Sequence, residues 1–598
     1  MTVGQPRGEP PHQTSGDDLR HIGDDQMNSF NPVGGVGRWK APFAVSAPLV
    51  DTLVIAAVAA AISMLLTGFV FGIGNNLFHL PIVAGLYNEP QYKDDAFIQS
   101  LRYFASGVWL VLADTQKYFE RTDLLFCILI YLSRWLSFIG FLCCASLLGV
   151  VERRDKIIFA LLACSTPFFW GFSYAGTGGM LIPFFTHSEI ANGTFLLAIY
   201  FVIKGRYTAA TVAWGCTFFI NAFMAVWLAP LWLVTVLGHL LKRRTTIGAL
   251  SLATLVGALI CVPIVFPALR AIISNPELGS PLAFDYVAYL REYYPRHFLI
   301  DTSPLIGIFL MFSVTALGAV ALWRFGAVAR ELRAVYLGAI LLYLFGTVAP
   351  LISGSPLILN LHLLRSGVVI HLLAGIAALA LATNWLGRDR RAMFLPGSLI
   401  VLSLAWGKLG FLLAIPVILA SSYFASASEP MLTHRRRLGY LALAVAVLVV
   451  IPMRVRDNFR SNETFASGAV EWAAVGDWAR QETPKTAIFM VPPPSDLKDP
   501  FSDPFSYAAN FEFISHRRVW VDFKRGAAVM WAPSYYRIWH ERMTEMAGLN
   551  DHAARLAYAS HNGIDYVVEL CGGLPSQDGV LFRTNRLCVS GVKRTVAG

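Results

Sequence analysis

Val50-Asp-Thr-Leu-Val-Ile-Ala-Ala-Val-Ala-Ala-Ala-Ile-Ser-Met-Leu-Leu-Thr-Gly-Phe-Val-Phe71 is the stretch that decides the fold. No Asp, Glu, Lys or Arg occurs between Asp51 and Glu89. About 20 apolar residues of helix cross a bilayer core, and in lipid only helices or closed barrels satisfy the backbone. The apolar residues run on without alternating, so the stretch predicts a membrane helix. It follows a polar segment of some forty residues, which argues against a cleaved signal peptide.

The rest of the chain repeats this pattern. Of its 598 residues 56% are hydrophobic and 14% charged, and the mean hydropathy is +0.55. That is too little charge to cover a soluble surface. Further apolar runs lie near 123–150, 157–175, 190–203, 247–269, 304–323, 334–353, 368–387 and 438–452. The stretches 207–241 and 393–425 each have room for two short helices, the second turning at Trp406-Gly-Lys408. The count is about 13 transmembrane helices.

The formal net charge of +10 does not point to nucleic acid, because the basic residues sit in short clusters between apolar runs. Glu152-Arg-Arg-Asp-Lys156, Lys204-Gly-Arg206, Lys242-Arg-Arg244, Arg324–Arg333, Arg388-Asp-Arg-Arg391 and His434-Arg-Arg-Arg437 read as cytoplasmic loops. Thirteen spans then put the N-terminus inside and the C-terminus outside. Met453-Arg-Val-Arg456 falls just outside and runs against that bias.

Three regions follow. Residues 1–40, rich in Gly, Pro, Asp, Gln and His, read as a disordered cytoplasmic tail. Residues 41–452 form an all-α polytopic membrane domain. Residues 453–598 form a small extracytoplasmic α/β domain, with helices over Ala469–Gln481, Tyr535–Ala547 and Asp551–Ser560. Its strands are Thr486–Val491, Arg518–Asp522, Ile564–Val568 and Val580–Phe582. In the outer loop after the first helix, Ala96–Phe119 has the spacing of one amphipathic helix lying on the membrane surface. Outer loops are long and hold most carboxylates and aromatics, so chemistry is expected on that face.

Six cysteines (Cys127, Cys143, Cys144, Cys164, Cys216 and Cys261) lie in apolar runs and read as packing residues. Cys571 and Cys588 lie in the tail, one ending a strand and the other following the next. An oxidising outer compartment predicts a disulfide between them.

Four groups carry candidate chemistry. Asp94-Asp95 reads either as a solvated acidic pair beside Lys93 or as a base or metal ligand. His187-Ser-Glu189 reads either as a helix start or as a second ligand cluster. His362 and Arg365 sit where an ionisable residue near the membrane is a functional hypothesis by default. A guanidinium there matches phosphate oxygens, or else snorkels to lipid headgroups. Trp520-Val-Asp522-Phe-Lys524 reads as a buried strand end.

One long first helix, an outer loop with an acidic pair and a surface helix, about thirteen spans and an outer C-terminal domain together resemble the GT-C superfamily. These are membrane glycosyltransferases that use polyprenyl-phosphate-linked sugars. The catalytic subunit of oligosaccharyltransferase and the aminoarabinose transferase of lipid A share the plan. The chain is also similar to a group of uncharacterised bacterial multi-pass proteins of that superfamily. The likeness is carried by Gln91-Tyr92-Lys-Asp-Asp95-Ala-Phe97, by Trp478-Ala-Arg480-Gln-Glu-Thr483-Pro484 with Phe489-Met-Val-Pro492-Pro493, and by Arg518-Val-Trp-Val-Asp522-Phe-Lys524. Its register selects Asp95 over Asp94. The Trp-Trp-Asp acceptor motif of oligosaccharyltransferases is absent, which argues against asparagine as acceptor.

The resemblance implies an inverting transferase of the bacterial inner membrane, its C-terminal domain periplasmic. It would move a sugar from a polyprenyl-phosphate donor to a glycan, lipid or protein acceptor. Asp95 would be the base, and Arg365 with His362 would hold the phosphate. Asp94, His187 and Glu189 would be the ligands of a divalent metal (Mg or Mn). The competing reading is a non-enzymatic transporter or flippase, or an assembly subunit, for a lipid-linked glycan. Against a transporter, mid-span charges are few and no internal repeat is evident.

Overall fold

The computed structural model describes residues 47–115, 118, 121–387, 391–407, 409–425, 429–493, 503, 505, 508, 510–574 and 579–593. The 1–40 tail, Lys408 and the start of the Arg388–Arg391 loop lie outside them. Contacts divide the chain at Leu49. Before that point only the opening of the first helix is described, and everything that follows concerns Val50–Gly598.

The apolar runs do form helices. The first is α1 (Ala47–Thr67), and the loop after it carries α2 (Asn76–Val83), α3 (Ala96–Ser100) and α4 (Gly107–Thr115). Next come α5 (Thr122–Ser146), α6 (Arg153–Ser165), α7 (His187–Ile203), α8 (Tyr207–Ile220), α9 (Ala222–Leu241) and α10 (Ile247–Ile273). A second long loop holds α11 (Tyr286–Tyr293), and α12 (Leu305–Arg324) and α13 (Arg330–Ile352) follow it. The bundle continues with α14 (Pro356–Leu359), α15 (Gly367–Gly387), α16 (Phe394–Ala405), α17 (Ala414–Leu419), α18 (Ser421–Ala425) and α19 (Glu429–Val445).

Among the described residues, eight helical stretches are long and apolar enough to cross a membrane, and four shorter apolar helices (α7, α8, Arg391–Ala405 and Gly410–Leu419) stand beside them. The apolar stretch 207–241 is split in two, as its length suggests, whereas 393–425 is divided among α16, α17 and the short α18. The run at 157–175 is different: α6 ends at Ser165, and Pro167 opens an irregular loop that lasts until Thr186. Pro cannot donate the next backbone bond, and it biases the preceding residue away from helix.

The helix α15 is buried around its whole circumference, as a helix without a polar face must be. The end that bears the 152–156 cluster is tied to the start of α1. Lys156 Nζ donates to Thr52 Oγ1 at 2.9 Å, and Arg153 lies 3.6 Å from Asp51. Arg244 and Glu331 pair between two further basic clusters. Nearer the other end of α1, Arg134 and Glu189 form a fully buried pair at 3.4 Å. Arg134 also donates to Ile182 O at 2.7 Å and to Ser63 Oγ at 3.2 Å.

The predicted surface helix over Ala96–Phe119 is broken instead. The Ala96–Tyr103 and Gly107–Thr115 pieces meet at 108°. Phe104 is extended, Ser106 Oγ donates to Ile220 O at 2.6 Å, and Gly107 presses so closely on Phe219 that a Cβ would meet its ring at 2.2 Å. Tertiary contacts to the end of α8 thus override the local periodicity.

The C-terminal region has no linker at its start. A π-helical segment, Ala446–Val450, joins α19 to the 32-residue α20 (Ile451–Glu482). Beyond it lie α21 (Phe511–Ser515), α22 (Tyr535–Ala547), α23 (His552–His561) and a five-stranded sheet. Its strands are β1 (Ile488–Met490), β2 (Arg518–Val519), β3 (Tyr566–Leu570), β4 (Val580–Arg583) and β5 (Leu587–Gly591), in the order β2-β1-β3-β5-β4. The first three are parallel, and β5 pairs antiparallel with both β3 and β4. Cys571 and Cys588 are joined, with Cα atoms 5.1 Å apart.

This domain shares its core with the loops of the bundle. One apolar cluster takes Leu77, Phe97 and Trp109 from the first loop, Tyr289 and Phe298 from the second, and Val521, Phe523 and Trp539 from the tail. Trp539 lies so close to Gly526 that a Cβ there would meet its ring at 2.2 Å. Truncating a fully buried Trp such as Trp109 or Trp539 costs about 3–5 kcal/mol, so loops and tail stabilise one another.

Candidate active site

Where the two loops meet the tail, five basic side chains converge. Arg365 and His362 stand on the turn between α14 and α15, and His187 is the first residue of α7. His297 follows α11, and Lys524 is the second residue of the 3-10 segment Phe523–Met530. Arg365 exerts a repulsive field on His187, His297, His362 and Lys524. Its Nη2 reaches only Thr177 O, at 3.5 Å, and among the described residues no carboxylate lies within 4.0 Å of it.

Under the cluster lies His79, fully buried on α2. It stacks on Trp109 at 3.8 Å between ring centroids, and His187 stands edge-on at 5.3 Å. Trp109 Nε1 donates to His187 Nδ1 at 3.2 Å, which leaves that nitrogen as the acceptor of a neutral ring. Neither ring nitrogen of His79 has a partner among the described residues.

Burial first, then the neighbouring cations, sets the protonation here. Burial, then Arg365 and Lys524, pushes His297 well below its ordinary value, and burial with His187 and Lys524 does the same to His79. Burial and Arg365 bring Lys524 down to about 7, against the pull of Asp522. Burial raises Asp522 to about 6, although Arg525 and the backbone N–H groups of Lys524 and Ala508 oppose the rise. Neutral imidazoles thus surround one permanent cation, Arg365, and one cation that titrates near neutrality, Lys524, an arrangement whose chemistry suits an anion.

The backbone beside it is strained. Five non-glycine residues among those described have positive φ, and three of them, Thr177 (49°), Arg296 (73°) and His362 (52°), border this cluster. Such strain persists only where the surroundings over-determine it, and it gathers at functional sites. Gly176, at φ 89°, lets its loop lie against Leu364, whose carbonyl oxygen would sit 2.3 Å from a Cβ.

The residues singled out in the sequence are distributed as follows. His187, His362 and Arg365 come together. Asp94 is exposed. Glu189 is engaged by Arg134. Asp95 is buried in a different constellation: it caps α3, accepting from Ile98 N at 3.0 Å, and lies 3.6 Å from Arg525 and 3.9 Å from Arg518. Arg525 also pairs with the buried Glu512, which burial pushes up to about 7. Asp94, His187 and Glu189 therefore do not form a metal-ligand set. Among the described residues no three His, Cys, Asp or Glu side chains converge on a metal position.

The sequence reading passed over His79 and His297 and took Asp522 and Lys524 for a strand end. The signal for the last two was the Arg518–Lys524 motif itself. Residues 470–546, which include that motif, match the model of a family described as Domain of unknown function (DUF6798). No curated protein matches the sequence. Among solved structures, the chain is similar to the crystal structure of ArnT from Cupriavidus metallidurans in the apo state. Identity is 13% and the TM-score 0.39, covering 92% of this chain and 100% of that one.

Proposed function

We propose that the chain is a membrane glycosyltransferase that takes a sugar from a polyprenyl-phosphate donor and passes it to an extracytoplasmic acceptor. The observation that carries this reading is Arg365: a guanidinium without a carboxylate partner among the described residues, ringed by His187, His297, His362 and Lys524, at one end of an apolar helix bundle. A lipid phosphate arriving from the bilayer is the anion that such a position suits. The orientation proposed with it has the N-terminus cytoplasmic and the C-terminal domain periplasmic.

In this reading Arg365 and Lys524 hold the donor phosphate and stabilise it as it departs. The acceptor hydroxyl oxygen attacks the anomeric carbon as the bond from that carbon to the phosphate oxygen breaks. The electron pair leaves with the phosphate, and the acceptor proton passes to a carboxylate. One displacement with one base inverts the anomeric centre. Phosphate is a good leaving group, so the paired carboxylates of a glycosidase are not required.

For the base, the geometry favours Asp522 over Asp95. Asp522 adjoins Lys524, and its value near 6 suits a proton acceptor at neutral pH. Asp95 is held by Arg525 and Arg518.

The test is to incubate purified protein in lipid nanodiscs with polyprenyl-phosphate sugars and candidate acceptors, and to measure sugar release and transfer. Donor turnover by the wild type, lost in Arg365→Ala, is expected. Binding of the donor without turnover of any sugar would sink the transferase and leave the transporter or assembly reading.

A further inference from the structure

A second feature lies away from the basic cluster, between the end of α1 and the start of α20. A groove of about 860 Å³ is lined by Leu66, Phe69, Val70, Val455 and Phe459, with Arg456 and Arg460 among its polar members. That volume falls within the roughly 300–1,000 Å³ of ligand-binding clefts.

Three observations bear on its occupant. First, α1, whose end forms one wall, leaves Val54, Val58 and Leu65 exposed, an apolar side that suits contact with lipid. Second, one wall is built by the π-helical segment, through Val447 and the adjoining Ile451. Such segments are rare and occur often at functional sites. Third, Arg456 and Arg460 are one helical turn apart and share a face. Arg456 lies 3.7 Å from Asp457, 61% exposed, and among the described residues Arg460 has no carboxylate within 4.0 Å. Arg454, by contrast, is engaged by Trp406 O at 2.8 Å. In the proposed orientation these arginines flank the outer end of a span, where Lys and Arg are disfavoured. An anionic partner accounts for their presence there.

The groove is also fixed in place. Asn458 and Asn462 both donate Nδ2 to Thr67 O, at 2.6 and 2.7 Å. They tie α20 to the last carbonyl of α1 and fix the spacing of the two walls.

We infer that the groove binds one membrane phospholipid with a net negative headgroup, its acyl chain against the apolar wall and its phosphate on Arg456 and Arg460. Glu463, also in the lining, sets a limit on how much negative charge is accepted.

The experiment is native mass spectrometry of the full chain, released from detergent in the presence of phosphatidylglycerol or phosphatidylcholine. One retained phosphatidylglycerol, at least ten-fold preferred, is expected. The double variant Arg456→Gln/Arg460→Gln should lose that preference. Val455→Trp should fill the groove and lose the adduct with the charges intact. Thermal midpoints identify any variant that fails to fold. Equal retention of both lipids by the wild type, or an unchanged adduct in Val455→Trp, overturns the inference. Displacement of phosphatidylglycerol by equimolar polyprenyl phosphate overturns it too, since the groove then belongs to the donor.

Discussion

The carboxylate of Asp95 and the guanidinium of Arg525 lie 3.6 Å apart, which joins the loop after the first helix to the far end of the chain. Asp95 is 7% exposed and Arg525 2%, so the pair is shielded from solvent. Removing one partner of such a pair leaves a charge buried without its full complement. Asp95→Asn should therefore destabilise the protein by about 1–3 kcal/mol and loosen the tail from the loop. Thermal denaturation and protease sensitivity of the tail check this. An unchanged midpoint together with complete loss of transfer would return Asp95 to the role of base.

Asp522→Asn is expected to slow transfer in the protein that folds. Loss of a general base typically lowers a rate about 10²–10⁴-fold. Asn keeps the acceptor oxygen for one of the two backbone N–H groups, of Lys524 and Ala508, that Asp522 now receives. Single-turnover transfer rates on folded protein, with donor affinity measured separately, distinguish a lost base from a lost binding site.

The charge state of Lys524 should be visible in two ways. With its value near 7 in the folded chain, affinity for a polyprenyl-phosphate probe should fall as pH rises through 7. Lys524→Arg should remove that dependence. Stability should move the other way. Between about 7 and the ordinary lysine value near 10.4, the unfolded chain holds more protons, so stability contributed at this position rises with pH. Lys524→Met should flatten that rise in a pH series of denaturation curves.

His362 offers a test of strain. Its φ of 52° suits glycine better than any residue with a Cβ. His362→Gly should fold at least as stably as the wild type, and His362→Ala should be less stable than the glycine variant by about 1 kcal/mol. Both should transfer sugar poorly if the imidazole serves the phosphate. A destabilised His362→Gly would mean that its ring packing on Phe223 and Phe298, at 4.9 and 4.6 Å, outweighs the backbone strain.

The disulfide is a local staple. Cys571 and Cys588 are 17 residues apart, and closing a loop of about that length contributes roughly 3 kcal/mol in the chain-entropy model. Cys571→Ser/Cys588→Ser, or reduction, should lower the resistance of β3 and β5 to proteolysis and leave the helix bundle unchanged.

The helices were legible in the sequence because the bilayer imposes a length and a composition that a run such as Val50–Phe71 cannot conceal. Tyr535–Ala547 was legible for a similar reason, its face being amphipathic. The bend at Phe104–Ser106 was not, since it depends on Phe219 and the carbonyl of Ile220, far away in the chain. β5 escaped because Leu587–Gly591 is short and gains its meaning only beside β3. Arg365 and His362 drew attention as ionisable groups near the membrane. His79 and His297 did not, because a lone histidine in a loop says nothing until folding places it beside another cation. Asp95 drew attention as a carboxylate in the outer loop, but its ion-pair neighbours, Arg518 and Arg525, lie too far along the chain to be read from its own stretch.

The shared apolar core of loops and tail has a bearing on biosynthesis. Lys524 and Asp522 are made late, after every membrane helix has been synthesised. Until the tail docks, Trp109 and Tyr289 lack their cover and the basic recess lacks one wall. A nascent or truncated chain would therefore be inserted yet inert, with aromatic surface open to proteases. In the proposed reading, docking of this domain is the step that completes the basic recess, so that transfer would begin only after it.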